Sequence, residues 1–384
     1  MREIFGGAAV FDGERFLDDA VVIVEDGHIV SVAPPDPGLA GTRVALTGGV
    51  LAPGLIDLQV NGGGGRMVGA ATDLAAIHAI CAAHARLGTT GLLPTLITDT
   101  PDATARVVAT AIAASEARVP GFLGLHLEGP HLDPRRKGAH EAGLIRPMTT
   151  ADLDLLCHAA ARLPSLMVTV APEAVTSGQI ARLTSAGVVV SLGHSDCTLA
   201  QAREAISAGA SCATHLFNAM SQLGSREPGL VGAVLGGGIA AGLIADAIHV
   251  APATLRIAIA CRPEGLFLVS DAMSVAGTEL AEFRLGERRI LRRDGRLTLE
   301  DGTLAGADLS LPQAVRVLIR QVGVSPRQAL AMATSVPARV IGADRHAGYL
   351  TPGRAADMVH LDDDWQLTQV WKAGQPLLPG LRRD

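Results

Sequence analysis

The sequence predicts an α/β protein, a TIM (β/α)8 barrel carrying a small β-sandwich domain formed by both chain ends. Three observations predict it. Eight short apolar runs alternate with Ala-rich helical segments through the middle of the 384-residue chain. Both ends read instead as short alternating strands and turns. The residues best suited to chemistry fall where the central strands end, the face on which such barrels build their sites.

Taken in order, FDGERFLDDAVVIVEDGHIVSVAP holds two alternating apolar runs joined by Asp26-Gly27, a hairpin signal. The barrel strands are then expected at LIDLQV (55–60), TGLLPTL (90–96), FLGLHLE (122–128) and LMVTVAP (166–172). They continue at VVVSLGH (188–194), CATHLF (212–217), IAAGLIAD (239–246) and LFLVSD (266–271). Most segments between them can hold a helix. TDLAAIHAICAAHARLG (72–88) is the plainest, with Thr72 or Asp73 as cap and Gly88 as stop. The C-terminal GYLTPGRAADMVHLDDDWQLTQVWKAGQPL returns to strands and turns. The expected division is 1–52 plus 348–384 as the small β domain and 53–347 as the barrel. No repeat of the solenoid type is present.

A net charge of −6 argues against a general nucleic-acid binder, which would carry a basic patch. It leaves room for a local cationic pocket around an anionic substrate. The stretch PGLVGAVLGGGIAAGLIA (228–245) is uncharged and near the minimum length of a membrane span. Its six glycines weaken a helix, so it reads as loop, helix and buried strand, and no membrane partner is expected. Five cysteines without CxxC spacing, and an N-terminus without an apolar signal core, suit a reducing cytoplasmic setting.

Four residues mark the strand ends: Glu128 in HLEGPH, His194 in SLGHSD, His215 in THLFNAM and Asp271 in VSDAM. A carboxylate and two imidazoles suit a divalent ion such as Zn²⁺ with a position left for water. Such an ion makes water acidic, and Asp271 is the candidate to take its proton and return it to a leaving group. Any one of these residues alone could be a core histidine or an ion-pair carboxylate. Their joint placement at strand ends, in barrel order, carries the reading. In DLQVNGGGG (57–65), Gln59 and Asn61 share one strand face, where many metal hydrolases have two histidines. The glycine run is not a phosphate loop, since no GK[ST] follows, and is expected to let the chain turn tightly beside the site.

Over nearly its whole length the chain resembles the N-acetylglucosamine-6-phosphate deacetylases, within the amidohydrolase superfamily. The resemblance rests on PGLIDLQVNGGGG (53–65), GLHLEGPHLDPRRKGAH (124–140), LGHSDCT (192–198) and ATHLFNAM (213–220). It extends to REPGLVGA (226–233), IADAIHV (244–250), VSDAM (269–273), GTLAGADLSL (302–311) and GYLTPGRAADMVHLD (348–362). HLEGPH and THLFNAM together are its most specific marks. It implies metal binding by Glu128, His194 and His215, and Asp271 as catalytic acid/base. It implies that His140 helps to polarise the substrate's amide carbonyl. Asn218 and Ala219 would contact the sugar phosphate, and Arg226 and His249 would bind phosphate. The family can donate that arginine across a dimer interface, so a homodimer is expected.

Gln59 and Asn61 then read as vacated second-metal positions, implying one divalent metal per subunit, with Zn²⁺ expected first and Fe²⁺ or another ion as alternatives. The two amides could instead hydrogen-bond Asp271 or the site's water. The expected reaction is hydrolysis of the N-acetyl group of N-acetyl-D-glucosamine 6-phosphate, in amino-sugar catabolism or cell-wall recycling. Alternatives are another N-acetylhexosamine 6-phosphate, such as the galactosamine epimer, or a non-catalytic sugar-phosphate binder. A cyclic-amide or dipeptide hydrolase with a bridging lysine on the fourth strand is disfavoured, because LMVTVAPE (166–173) has none. His126, facing the barrel interior with Glu128, reads as a residue that supports the metal ligands from behind or packs the interior, and no role is assigned to His131.

Overall fold

The computed structural model describes residues 1–379. Eight parallel strands form the central sheet in strict chain order, the first of them Leu55–Val60 and the second Thr89–Ile97. The third to fifth are Leu125–Glu128, Leu166–Val170 and Val189–Leu192. Cys212–Ala213, Ala240–Leu243 and Leu266–Leu268 complete the set. A parallel bridge between Val60 and Ala272 joins the first strand to the end of the eighth and closes the barrel. These strands are buried on both faces, by the barrel interior and by the helices, which is why they read as continuous apolar runs.

Helix starts carry the polar residues that can satisfy their free N–H groups. In Leu74–Arg86 the Asp73 carboxylate accepts from Ala76 N at 2.7 Å. Ile77, Ile80, Cys81 and His84 recur on its buried face, and the helix stops before Gly88, whose φ is 96°. Thr149, Thr176 and Thr198 cap their helices in reciprocal boxes with Asp152, Gln179 and Gln201. The glycine-rich stretch at 228–245 becomes the helix Gly229–Gly236 and the seventh strand. Among the described residues no helix is long and apolar enough to cross a membrane.

The two chain ends meet in one layered unit. A four-stranded sheet contains Arg2–Gly6, Val21–Glu25, His28–Ala33 and Thr42–Ala45. Asp26 and Gly27, both with positive φ, make the turn of its hairpin. A six-stranded sheet unites Ala9–Phe11, Phe16–Leu17 and Val50–Pro53 with Met358–Leu361, Leu367–Lys372 and Gln375–Pro376. Phe5 from one sheet and Trp371 from the other meet edge to face at 5.2 Å within a core separate from that of the barrel.

One element was not anticipated from the sequence. After the eighth strand an antiparallel sheet runs through Glu282–Leu285, Arg288–Arg293, Arg296–Thr298 and Leu304–Ala307. Its apolar residues Leu285, Ile290 and Leu297 form a small core with Met273 and Val275. Six arginines between 284 and 296 mask the alternation of these residues, and the turn signal Asp294-Gly295 was the clue available.

Candidate active site

The polar strand ends converge on a cavity of about 430 Å³ at the carboxyl-terminal mouth of the barrel. Glu128 closes the third strand, and His194 and His215 follow the fifth and sixth. His194 Nε2 lies 3.2 Å from Glu128 Oε1, His215 Nε2 lies 3.0 Å from it, and the two imidazole nitrogens are 3.0 Å apart. His194 Nδ1 donates to the Arg136 carbonyl at 2.8 Å, so its Nε2 presents a lone pair. A carboxylate oxygen and two imidazole nitrogens this close need a proton or a metal ion between them. Tetrahedral bonds of about 2.0–2.2 Å would separate neighbouring ligand atoms by roughly 3.3 Å, so the donor set and its spacing fit a divalent ion. All three residues are buried, and together they are a group that could hold a metal.

Asp271 follows the eighth strand. Burial, reinforced by the charge of Glu128, pushes its carboxyl up to about 6. Its Oδ1 accepts from Asn61 Nδ2 at 2.7 Å and from Gln59 Nε2 at 3.2 Å. The same Gln59 nitrogen donates to Glu128 Oε1 at 3.0 Å. Gln59 therefore ties Asp271 to Glu128, and Asn61 adds a second bond to Asp271. Main-chain bonds from Asp271 N to Gln59 O, and from Ala307 N to Asp271 O, clamp it between the first strand and the inserted sheet. A side chain at Gly306 would meet Met273 and the Asp271 carbonyl, so this close approach needs glycine.

His140 packs beside His194, with ring centroids 4.4 Å apart, and its Nε2 lies 3.9 Å from Glu128 Oε2. The Thr98 N–H donates to its Nδ1 at 3.3 Å, which leaves the proton of the neutral ring on Nε2, facing the site. Burial, followed by the neighbouring His194, pushes its pKa down to about 3, so the ring is a neutral hydrogen-bond donor. Asn218, Ala219 and His249 also line the cavity. His249 is anchored through Nδ1 to Asp246 Oδ2 at 2.6 Å. Arg226 is exposed and does not contribute to this lining.

Several contributors were not singled out from the sequence. Thr98 orients His140, and Ile97, Ala139, Met273, Leu285 and Leu304 supply apolar wall. The signals were weak: Ile97 ends a strand, Thr98 directly follows it, and the others sit on loops or the unanticipated sheet. His126 is a buried packing residue, its nitrogens beside the hydroxyls of Thr95 and Thr169. His131 Nδ1 meets the Arg146 carbonyl. The glycine run forms a tight turn, with Gly62–Gly63 paired to Arg66–Met67 and His84 Nε2 bonded to the Gly62 carbonyl.

A sequence profile of the amidohydrolase family matches residues 50–377. The chain belongs to the amidohydrolase family. Within it, the chain is 39% identical to N-acetylgalactosamine-6-phosphate deacetylase from Shewanella sp. (strain ANA-3), over 97% of this chain and 95% of that one. It is 35% identical to human N-acetylglucosamine-6-phosphate deacetylase, over 94% and 89% of the two chains. The crystal structure of N-acetylglucosamine-6-phosphate deacetylase from Pasteurella multocida superposes with a TM-score of 0.93 at 30% identity, covering 98% and 99%. A mutant of the Mycobacterium smegmatis enzyme in complex with N-acetyl-D-glucosamine-6-phosphate superposes at 0.89 with 32% identity, covering 99% of each chain. D-hydantoinase, at 13% identity and a TM-score of 0.66, shares the amidohydrolase fold.

Proposed function

We propose that this amidohydrolase removes the acetyl group from N-acetyl-D-glucosamine 6-phosphate, releasing acetate and D-glucosamine 6-phosphate. The observation that carries the reading is the convergence of Glu128, His194, His215, His140 and Asp271 on one cavity. One divalent ion per subunit, Zn²⁺ first among the candidates, would be held by those three residues and would supply Lewis acidity and an acidified water. Gln59 and Asn61 stand where a second ion would need ligands, and neutral amides compete poorly for one.

The chain's own part follows from atoms already placed. The Asp271 carboxylate takes a proton from the attacking water and passes it to the departing nitrogen. His140 Nε2–H donates to the carbonyl oxygen as negative charge grows there. The sugar phosphate is assigned to the opposite end of the cavity, on Asn218, Ala219 and His249. Arg226 completes the phosphate site of the second subunit in a homodimer, a role supported by its exposure outside its own chain's cavity. Such an enzyme works on a metabolite of the cytoplasm.

Metal analysis combined with an acetate-release assay tests the reading. About one divalent ion per subunit and steady acetate release are expected. Absence of both metal and release across N-acetyl sugar phosphates would overturn it. A second reading has its own support, because relatives from Shewanella and Escherichia coli O157:H7, at 39% and 36% identity, are N-acetylgalactosamine-6-phosphate deacetylases. A higher kcat/KM for the galacto epimer would assign this chain to that substrate.

A further inference from the structure

We infer that Ile97 and Leu285 form a partition that restricts the acyl group this enzyme removes to about the size of acetyl. The inference rests on the deacetylase reading and adds to it the residues that choose the acyl chain. Beside the catalytic cavity lies a second cavity of about 490 Å³. Ile97 and Leu285 line both. Ile97 ends the second barrel strand, next to the Thr98 that holds His140. Leu285 ends the first strand of the inserted sheet and joins its small core, against which Ile97 and Ala139 pack. Arg288 Nη2, donating to the Ala139 carbonyl at 2.7 Å, fastens that sheet to the loop bearing His140. The partition is therefore braced from both sides.

Orientation of the substrate brings the acyl chain to this wall. The reacting carbon carries three groups. Its oxygen faces His140, and its nitrogen must reach Asp271, with the sugar extending towards Asn218 and His249. The acyl carbon is left to point away from Asp271, towards the second strand and the inserted sheet. The lining there is Ile97, Ala139 and Leu285, apolar side chains suited to a methyl group. A longer chain collides with the partition, although unfilled volume lies directly behind it.

The test compares N-acetyl, N-propanoyl and N-butanoyl amino-sugar 6-phosphates, reading kcat/KM from release of the free amine. Wild-type enzyme should favour acetyl, with a loss of roughly 10-fold or more for each added methylene. Leu285→Ala should raise the butanoyl-to-acetyl ratio roughly 10-fold or more by joining the two cavities. Ile97→Val, a milder change on the other half of the wall, should raise the propanoyl-to-acetyl ratio and keeps the test available if Leu285→Ala does not fold. Wild-type enzyme that hydrolyses butanoyl and acetyl substrates equally well would overturn the partition. So would a folded variant that still releases acetate with an unchanged chain-length ratio. Wild-type enzyme that releases no acetate would instead remove the deacetylase reading, and the partition with it.

Discussion

At the residue scale, Asp271 is distinguished from an ordinary buried acid by what holds it. Asn61 and Gln59 both donate to its Oδ1, which leaves Oδ2 free of those bonds. Asp271→Asn keeps the shape but cannot accept a proton. It is expected to retain metal while kcat falls roughly 10²- to 10⁴-fold, measured by acetate release beside metal analysis. Asn61→Leu probes the hydrogen bond itself. The Asn61 bond draws the Asp271 pKa down, so losing it moves that pKa up. In the proposed mechanism the ionised carboxylate takes the proton, so the acid limb of kcat/KM against pH should shift to higher pH. An unshifted limb would mean that a different group sets it.

At the element scale, strand ends were legible because a buried apolar run that stops at a Glu, His or Asp has few physical explanations. One helix start was legible for a similar reason, since Asp73 is a short polar side chain set directly before an apolar helical period. Asp73→Ala should destabilise the protein by about 1 kcal/mol through loss of the bond to Ala76 N, measured by chemical unfolding. The backbone beyond the strand ends was not legible. His194, His215, Ala219 and Asp271 all have positive φ, between 28° and 51°, a region that costs non-glycine residues of order 1–3 kcal/mol. Nothing in their side chains announces that conformation. It is held by long-range bonds such as Asp271 N to Gln59 O, which link residues over 200 positions apart. The inserted sheet escaped for a different reason. Its arginines hide the period of its few apolar residues, and its contribution to the site appears once it folds over the barrel mouth.

At the scale of the whole molecule, the placement of Arg226 turns a question of chemistry into one of assembly. Sequence placed it in the phosphate site by resemblance, yet in the single chain it is exposed and outside the cavity. If it serves the other subunit, Arg226→Ala alone should raise KM for the phosphorylated substrate roughly 10- to 100-fold, the worth of a charge-assisted hydrogen bond. That loss by itself does not say which subunit the arginine serves. Co-expression with Asp271→Asn subunits does. In a mixed dimer, the Asp271→Asn chain has a dead site but lends an intact arginine to its partner. The Arg226→Ala chain then has a complete site, so the mixed dimer should show about half of wild-type activity per subunit, and an unsorted statistical mixture about a quarter. If each arginine instead served its own chain, no mixed dimer would contain a complete site and activity would stay at the average of the two parents. Two affinity tags allow the mixed species to be isolated and its activity measured directly.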